Sequence, residues 1–440
     1  MTSRIALRGD LLDFTADPGF SPAAEAPGVR WRPDHWLLIE NGRIINALPA
    51  GSVDREADGG PDARWQRIDH RGRLILPGFI DTHVHSPQLD VIASHGGALL
   101  DWLERYTFPA ERRYADPAVA HAGAARFVDA LFAHGTTAAV VFPTVHKVSA
   151  EALFAAAQRR GMRLISGKVL MDCNAPDGLR DDVEQAERDC TDLIARWHGV
   201  GRLAYAVTVR FAGTSTREQL AMAGRLCAEH DGVFMQTHVA ENTGEVHWIA
   251  GLFPEARSYL DVYERYGLIH SRSVLAHGIW LDDQDRSLLH ERGAQIAFCP
   301  SSNLFLGSGL FDWWSAEAAG VTVSMGSDVG GGTSLSMLRT LADGYKVQAL
   351  RGLHLTAWKS LYTATLGAAR SLGLDREIGR IEAGNAADLA IWDWSVGPVA
   401  IHRDSLAGDL HERVFAWVML GDERNLVETY VAGALVHARS

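Results

Sequence analysis

The sequence predicts an α/β protein with a (β/α)8 barrel of the TIM type and a small β-sandwich domain that both chain ends build. Eight apolar runs rich in β-branched residues recur between residues 74 and 329, and stretches with apolar residues at helical spacing separate them. Patterns typical of β-hairpins stand before and after this region. Strands and helices that alternate in this way are the pattern of such a barrel. We therefore predict a β-sandwich domain from residues 1–76 and 378–440 and a barrel from residues 77–377.

A doubly wound open sheet is the alternative arrangement of alternating strands and helices. It should carry a glycine-rich phosphate-binding turn after its first strand, whereas the first run here ends in His83–Val84–His85. The predicted barrel strands are 74–81, 136–142, 163–172, 203–210, 233–240, 273–280, 294–300 and 321–329. The clearest helical segments between them are 117–134, 151–160 and 217–230.

The flanking domain is predicted from hairpin signals at both ends of the chain. Asn41–Gly42 stands between alternating apolar residues of runs 36–40 and 43–48, and this dipeptide suits a two-residue turn with positive φ. Residues 17–33 are rich in Pro and Ala and predict a loop. Similar strand patterns at 387–394 and 426–437 indicate that the two ends meet in one module.

Composition favours an enzyme with a small neutral substrate. The chain of 440 residues is 47% hydrophobic and carries a net charge of −12, which argues against nucleic acid or an anionic membrane as a partner. Its 4 cysteines form no CxxC pattern. The first residues lack the pattern of a secretory signal. No apolar stretch reaches the roughly 20 residues that span a bilayer. We predict a cytoplasmic protein.

Five polar side chains stand at the predicted carboxyl ends of barrel strands, where the chemistry of this fold is located. They are His83, His85, His238, His277 and Asp328. His83 and His85 are two apart on a strand, so both imidazoles reach one point and suit a borderline metal such as zinc. A single His-x-His could instead bond only strand-end backbone. Five such groups from distant parts of the chain favour a metal site over that structural alternative.

Several motifs carry a resemblance to a known family. PGFIDTHVH, QTHVAEN, LAHG and MGSDVGGGT resemble the amidohydrolase superfamily over nearly the whole chain. Within it, THVHSPQ, LLDWLERYTFPAERRY, HGTT, VRFAGTS and FCPSSNLFLGSG are similar to the blocks of the guanine deaminases, the second being the longest and most specific.

The resemblance implies one zinc ion per chain, held by His83, His85, His238 and Asp328. Members with two metals use a carboxylated lysine, commonly at the end of strand 4, but that end reads Val209–Arg210 here. Lys168, inside the third predicted strand, is interpreted as a core or barrel-lining residue. We therefore expect a single metal.

The resemblance also implies the catalytic roles. Water activated by the zinc ion attacks C2 of guanine, while Glu241 shuttles protons to N3 and to the leaving amine, giving xanthine and ammonia. Asp328 orients that water and His277 hydrogen-bonds the same oxygen. We interpret Glu245, four residues after Glu241, as a solvated residue at a helix N-terminus.

Specificity is expected from Gln88, Arg210 and Phe211, together with His238, Glu241 and Asp328 at the reacting end of the base. In the family the first three positions bind guanine: Gln88 can read an amide edge, Arg210 suits O6 and N7, and Phe211 can stack on the ring. Without the family, Arg210 could be an ion-pair partner in the barrel and Phe211 ordinary core.

Three features of the substrate region remain open. The aromatic residues Trp102, Tyr106 and Phe108 could wall the pocket or belong to the core. Val209 precedes Arg210 where proline is expected, and residues 330–332 form an unusually glycine-rich turn. These two departures leave loop geometry open but not the metal site.

Three other functions are possible for a chain of this kind. Cytosine, adenosine-like or aminotriazine compounds could be the substrates of the same metal site, although adenine lacks the carbonyl that would meet Arg210. The H-x-E and P-C-x-x-C zinc signature of nucleic-acid deaminases is missing. A non-catalytic scaffold should have lost metal ligands, and this chain keeps them. The resemblance implies a homodimer, and activity on related bases such as pterins stays open.

Overall fold

The computed structural model describes residues 4–53, 65–95 and 99–439; the part of the predicted flanking domain at 54–64 lies outside them. Within these ranges the strands form two sheets. The strands are β1 (Arg4–Phe14), β2 (Val29–Glu40), β3 (Arg43–Pro49), β4 (Gln66–Pro77), β5 (Phe79–His85), β6 (Thr136–Phe142), β7 (Arg163–Ser166), β8 (Val169–Leu170), β9 (Leu203–Val209), β10 (Phe234–Val239), β11 (Ser273–His277), β12 (Gln295–Phe298), β13 (Thr322–Met325), β14 (Leu389–Trp392), β15 (Leu426–Val431) and β16 (Ala434–Ala438).

The helices lie mainly between the barrel strands. They are α1 (Ala50–Val53), α2 (Leu99–Trp102), α3 (Phe108–Arg112), α4 (Pro117–Phe132), α5 (Lys147–Arg160), α6 (Val183–Trp197), α7 (Arg217–Glu229), α8 (Thr243–Leu252), α9 (Tyr259–Glu264), α10 (Asp283–Arg292), α11 (Pro300–Phe305), α12 (Trp313–Ala318), α13 (Met337–Leu350), α14 (Ala357–Thr363), α15 (Leu366–Ser371), α16 (Pro398–Asp404) and α17 (Leu410–Leu420). Among the described residues, no helix combines the length and the apolar character that a bilayer crossing requires.

The barrel runs in the order β5, β6, β7, β9, β10, β11, β12, β13, and its paired strands are parallel. Its first and last strands meet at their carboxyl ends. The Asp328 N–H donates to the His83 carbonyl at 2.9 Å, and the His85 N–H donates to the Val329 carbonyl at 2.9 Å. The prediction of a TIM-type barrel is confirmed.

The third barrel strand is divided, although one run over 163–172 was predicted. β7 and β8 both pair with β9, and Gly167 lies between them. A Cβ on Gly167 would stand 1.9 Å from the Ala206 carbonyl oxygen, so the chain comes too close to its neighbour for any side chain there. Lys168 is buried, as predicted, and its Nζ lies 2.5 Å from Asp181.

The two chain ends build one seven-stranded sheet in the order β16, β15, β14, β4, β1, β2, β3. The prediction that both chain ends form one β module is confirmed. The module was predicted as a β-sandwich, and its seven strands in the described residues are hydrogen-bonded in one continuous order, as a single sheet. Asn41 and Gly42 have φ values of 50° and 78°, as the predicted hairpin turn requires. The predicted loop at 17–33 is shorter than expected, because β2 already begins at Val29 and pairs with β1.

An ion pair joins the sheet to the barrel. Arg202, just before β9, binds both carboxylate oxygens of Asp388, just before β14. The Asp388 carboxylate also accepts the Ala432 N–H at 2.8 Å, and its carbonyl accepts the N–H of Gly78, which separates β4 from β5. Asp388 therefore fixes the sheet against the strand that carries both histidines.

We expect Asp388→Ala to lower the free energy of unfolding by about 3–5 kcal/mol, because the mostly buried Arg202 charge loses its partner. Chemical denaturation followed by circular dichroism measures this. In the matched control, Glu184→Ala removes the exposed partner of Arg188 and should change stability by less than about 1 kcal/mol. Equal effects of the two substitutions would contradict the role of Asp388.

Candidate functional site

Three imidazoles and one carboxylate converge at the carboxyl end of the barrel. The His85 Nε2 atom lies 3.2 Å from His83 Nε2 and 3.1 Å from His238 Nε2. One oxygen of Asp328, Oδ1, lies 3.2 Å from His83 Nε2 and 3.3 Å from His85 Nε2. One ligand atom from each of the four residues fits within 4.8 Å of all the others. This is the size of a single metal site.

Strand geometry brings these ligands together. His83 and His85 extend from the same face of β5, and His238 lies near the end of β10. Asp328 follows β13 with a φ of 49°, which turns its side chain back toward the histidines. The preceding Ser327 is anchored, because its N–H and Oγ–H donate to the buried Asp81 carboxylate at 3.0 and 2.5 Å.

The chemistry of the donors fits a divalent metal. His238 Nδ1 lies 2.6 Å from the Arg210 carbonyl oxygen, so Nδ1 carries the proton and the Nε2 lone pair faces the centre. Burial lowers the pKa of His85 to about 3 and lowers the pKa of His238 well below its usual value. Both imidazoles are thus neutral at pH 7, and neutral imidazole is the ligating form.

The Phe142 ring supports the three histidines of the candidate metal site, a contact that sequence reasoning missed. Phe142 ends β6, and its ring centroid lies 5.0 Å from His83, 4.8 Å from His85 and 4.9 Å from His238. The ring excludes water from this side of the site. The sequence feature that could have identified Phe142 is its position at the carboxyl end of the second predicted barrel strand.

Glu241 and His277 stand beside Asp328. His277 Nε2 lies 3.4 Å from Glu241 Oε2 and 3.7 Å from Asp328 Oδ2. Burial, aided by the charge of Asp328, raises the pKa of Glu241 to about 8, against the opposing effect of the Ser308 hydroxyl, which donates to Glu241 at 2.7 Å. The Glu241 carboxyl can therefore hold a proton near neutral pH.

Ser308 and Asn303 are two site residues that sequence reasoning did not single out. His277 Nδ1 lies 2.8 Å from Asn303 Oδ1, which orients the ring, and Ser308 holds Glu241. Both residues belong to the stretch FCPSSNLFLGSG. Its resemblance to a family block was the signal that could have identified them.

Glu245 is buried, and the interpretation of it as a solvated helix residue was wrong. It lies in the first turn of α8, where it forms a capping box with Asn242, and it also accepts the Glu241 N–H at 3.0 Å. The Tyr259 hydroxyl donates to its other oxygen at 2.7 Å. Tyr259, from α9, closes it off from water.

A cavity opens over the candidate metal centre. It and its mouth enclose about 510 Å³ of space between the atoms, part of which is open to solvent. The predicted substrate-binding residues all line it: Gln88, Arg210, Phe211, His238, Glu241 and Asp328. His277, Glu245 and Trp102 line it too.

Arg210 and Phe211 each have a structural contact as well as a place in the cavity wall. Arg210 Nη1 lies 2.6 Å from the buried carboxylate of Glu111, and its guanidinium stands 5.3 Å from the Phe108 ring centroid. Phe211 packs against Trp248 at 5.8 Å between ring centroids. Arg210 is therefore both an ion-pair partner and a residue of the cavity wall, and Phe211 both packs against another side chain and lines the cavity.

The glycine-rich turn after Asp328 contacts Gln88. The Gly330 N–H donates to Gln88 Oε1 at 3.2 Å. A Cβ on Gly330 would lie 2.6 Å from the Gln88 carbonyl oxygen, so this close approach requires glycine. Of the remaining aromatic candidates, Phe108 underlies Arg210, and Tyr106 packs against the apolar cluster that contains Trp102.

Comparisons with known proteins place this site in a family. The model of the amidohydrolase family matches residues 74–436. The chain is 43% identical over 435 residues to the guanine deaminase of Escherichia coli strain K12, covering 99% of this chain and 98% of that protein. The solved E. coli guanine deaminase superposes with a TM-score of 0.94 at 42% identity and full coverage of both chains. The guanine deaminase of C. acetobutylicum, solved with guanine in its active site, gives 0.86 at 25% identity, covering 98% and 100%.

We expect His85→Ala to remove bound metal from the purified protein, because its Nε2 lies within 3.3 Å of donor atoms of the other three candidate ligands. Elemental analysis after dialysis measures metal per chain. His402→Ala, which removes an exposed histidine on α16, should leave the metal content unchanged. Retention of full metal content by His85→Ala would refute the assignment.

Proposed function

The chain belongs to the amidohydrolase family, and from that premise we propose that it hydrolyses guanine to xanthine and ammonia. The observation that carries the proposal is the composition of one cavity. The candidate metal ligands His85, His238 and Asp328 line it together with Glu241, and so do Gln88, Arg210 and Phe211. The names of the similar proteins support the same substrate.

One zinc ion per chain is part of the proposal. Three imidazole nitrogens and one carboxylate oxygen are ligands that zinc accepts, and the set leaves room for water and substrate. A zinc ion bound there supplies a Lewis acid that lowers the pKa of water to about 7. Val209–Arg210 at the end of β9 leaves no lysine to bridge a second ion, which supports a single metal.

Glu241 moves the protons of the proposed reaction. Its carboxyl takes a proton from the attacking water as the oxygen adds to C2, and gives a proton to N3 of guanine. It then takes the second proton from the hydroxyl now on C2 and gives it to the exocyclic nitrogen, so that the C2–N bond breaks, the C2=O bond forms and ammonia leaves. Ser308 holds one oxygen of Glu241 during these steps, and the other faces His277.

His277 and Asp328 orient the water in this proposal. His277 stands between the Glu241 and Asp328 carboxylates, and Asn303 fixes the ring from behind. The second oxygen of Asp328 is on the side of His277, so it can accept a hydrogen bond from the attacking water. His238 lies at the same end of the base.

Three cavity-lining residues suit the six-membered lactam and the N7 edge of guanine. Arg210 offers planar donors to O6 and N7, Gln88 offers an amide to a base edge, and Phe211 provides an aromatic face. A site built on such bonds discriminates strongly against bases that lack the partner groups, because its buried polar atoms are then unpaired.

The proposed function is tested with a panel of free bases, following release of ammonia and formation of the ring product in which an oxo group replaces the amino group. Guanine should be turned over, and adenine and cytosine should react far more slowly. Glu241→Gln should keep the metal but lose about 10³-fold or more in turnover, because the carboxyl no longer transfers protons. Near-normal ammonia release from that variant would rule out the role of Glu241, and no release from guanine by the wild type would rule out the function.

We expect Arg210→Ala to raise KM for guanine by about 10- to 100-fold and to relax discrimination, since charged hydrogen bonds contribute about 1.5–3 kcal/mol. Steady-state kinetics measures both. Arg217→Ala is a matched control: Arg217 pairs with Glu255 and stands 4.7 Å over the Phe253 ring, outside the cavity. Unchanged kinetics in Arg210→Ala would remove Arg210 from base recognition.

A reduced, cytoplasmic setting and a homodimer complete the proposal. The four cysteines are free thiols, and free buried thiols are typical of a reducing compartment. The homodimer stays a prediction from the family resemblance, and sedimentation of the purified protein measures it.

A further inference from the structure

Glu111 is a fully buried carboxylate that none of the proposed catalytic steps uses. It lies on α3, within the motif LLDWLERYTFPAERRY, and 0% of its surface is exposed. A buried carboxylate is costly unless it is paired. Its two oxygens therefore need partners, and both partners are residues of the cavity wall.

Each carboxylate oxygen of Glu111 holds one base-reading side chain. Oε2 accepts from Arg210 Nη1 at 2.6 Å, and Oε1 accepts from Gln88 Nε2 at 3.2 Å. Gln88 and Arg210 line the cavity, whereas Glu111 is not among the described residues that do. Glu111 thus acts from behind the two side chains and does not reach the base.

The bond from Gln88 fixes which way its amide points. On one side stands the Glu111 carboxylate, which only accepts, and on the other the Gly330 N–H, which only donates. If the Gln88 amide were reversed, its oxygen would face the Glu111 carboxylate and its NH2 would face the Gly330 N–H, so neither hydrogen bond could form. One N–H and one lone pair of Gln88 remain for the base, in a defined orientation.

The Arg210 guanidinium is held in the same way. One nitrogen is bound to Glu111 and the Phe108 ring lies 5.3 Å away, so that its remaining donors face a fixed direction. The negative charge of Glu111 also balances a guanidinium that is 3% exposed, which lets the site receive an uncharged base without an unpaired buried cation.

We propose that Glu111 is a specificity-determining positioning residue, whose two oxygens hold Gln88 and Arg210 in the orientation that reads guanine. This inference rests on the proposed function. It assigns Glu111 to the discrimination between bases and not to proton transfer, since Glu241 carries that role.

The test is Glu111→Gln, which keeps the shape but replaces one acceptor by a donor. The amide at position 111 can accept a hydrogen bond from Arg210 only if its NH2 faces Gln88. The Gln88 amide must then reverse or lose its hydrogen bond to position 111. KM for guanine should rise about tenfold or more, with kcat within about threefold, as expected when binding common to ground and transition state is lost. The preference for guanine over 2-aminopurine, which lacks the 6-oxo group, should fall by a similar factor.

Two controls separate positioning from a general loss of stability. Asp13→Asn alters another fully buried carboxylate, which binds Arg30 and Arg32 in the β module; it should lower the melting temperature but leave KM and base preference unchanged. In a double-mutant cycle, Glu111→Gln should add little to the KM effect of Gln88→Ala. If Glu111→Gln does not fold, Glu111→Asp, which keeps the charge but shortens the reach, must show the same KM-dominated defect.

Unchanged KM and base preference in the folded variant, or full additivity with Gln88→Ala, would overturn the inference. Its failure is distinguishable from failure of the proposed function, because the wild-type panel tests that function separately. If the wild type turns over another free base, the KM for that base must rise in Glu111→Gln. If it turns over none, both proposals fall.

Discussion

Closure of the barrel by its first and last strands is the constraint on which the candidate site depends. The backbone bonds from Asp328 to His83 and from His85 to Val329 put the ends of β5 and β13 side by side. His83, His85 and Asp328 are adjacent only because these strands meet, since Asp328 follows His85 by 243 positions in the chain. The buried Asp81 strengthens the junction by accepting from Ser327.

The cavity above this junction is built from buried charges that are balanced in place. The Glu111 carboxylate balances the charge of Arg210 on one side of the cavity, and the Asp328 carboxylate faces His83 and His85 on the other. Among the described residues, Glu241 contacts the Ser308 hydroxyl and the His277 ring and not a guanidinium, and burial raises its pKa to about 8. A low-dielectric site makes each of these interactions stronger than it is in water. Two carboxyl groups of one cavity can therefore differ in protonation. Glu241 can hold a proton near neutral pH, whereas Asp328, whose pKa is lowered, does not.

Much of this arrangement was predictable because strand periodicity is local. An apolar run ending in His83–Val84–His85 places two imidazoles on one face wherever the strand lies, and the alternation of strands with helices predicts which strand ends meet. The candidate ligands and the base-facing residues were found in this way and through the family motifs. Their roles in catalysis and recognition stay predictions.

The residues that were missed or misjudged depend on contacts between distant segments. Glu111 lies 23 residues from Gln88 and 99 from Arg210, so no local pattern connects it with them. Glu245 resembled a solvated helix residue because Tyr259, which covers it, belongs to another helix. The division between β7 and β8 likewise follows from the closeness of Gly167 to the Ala206 carbonyl of a neighbouring strand.

The sequence by itself determined the fold class, the family and the side chains able to bind a metal, because these follow from periodicity and from the chemistry of single residues. Only the tertiary structure decided which polar groups are paired, which are buried and which face the cavity. The physical reason is that exclusion of water and the partner of each charge are set by the packing of segments far apart in the chain.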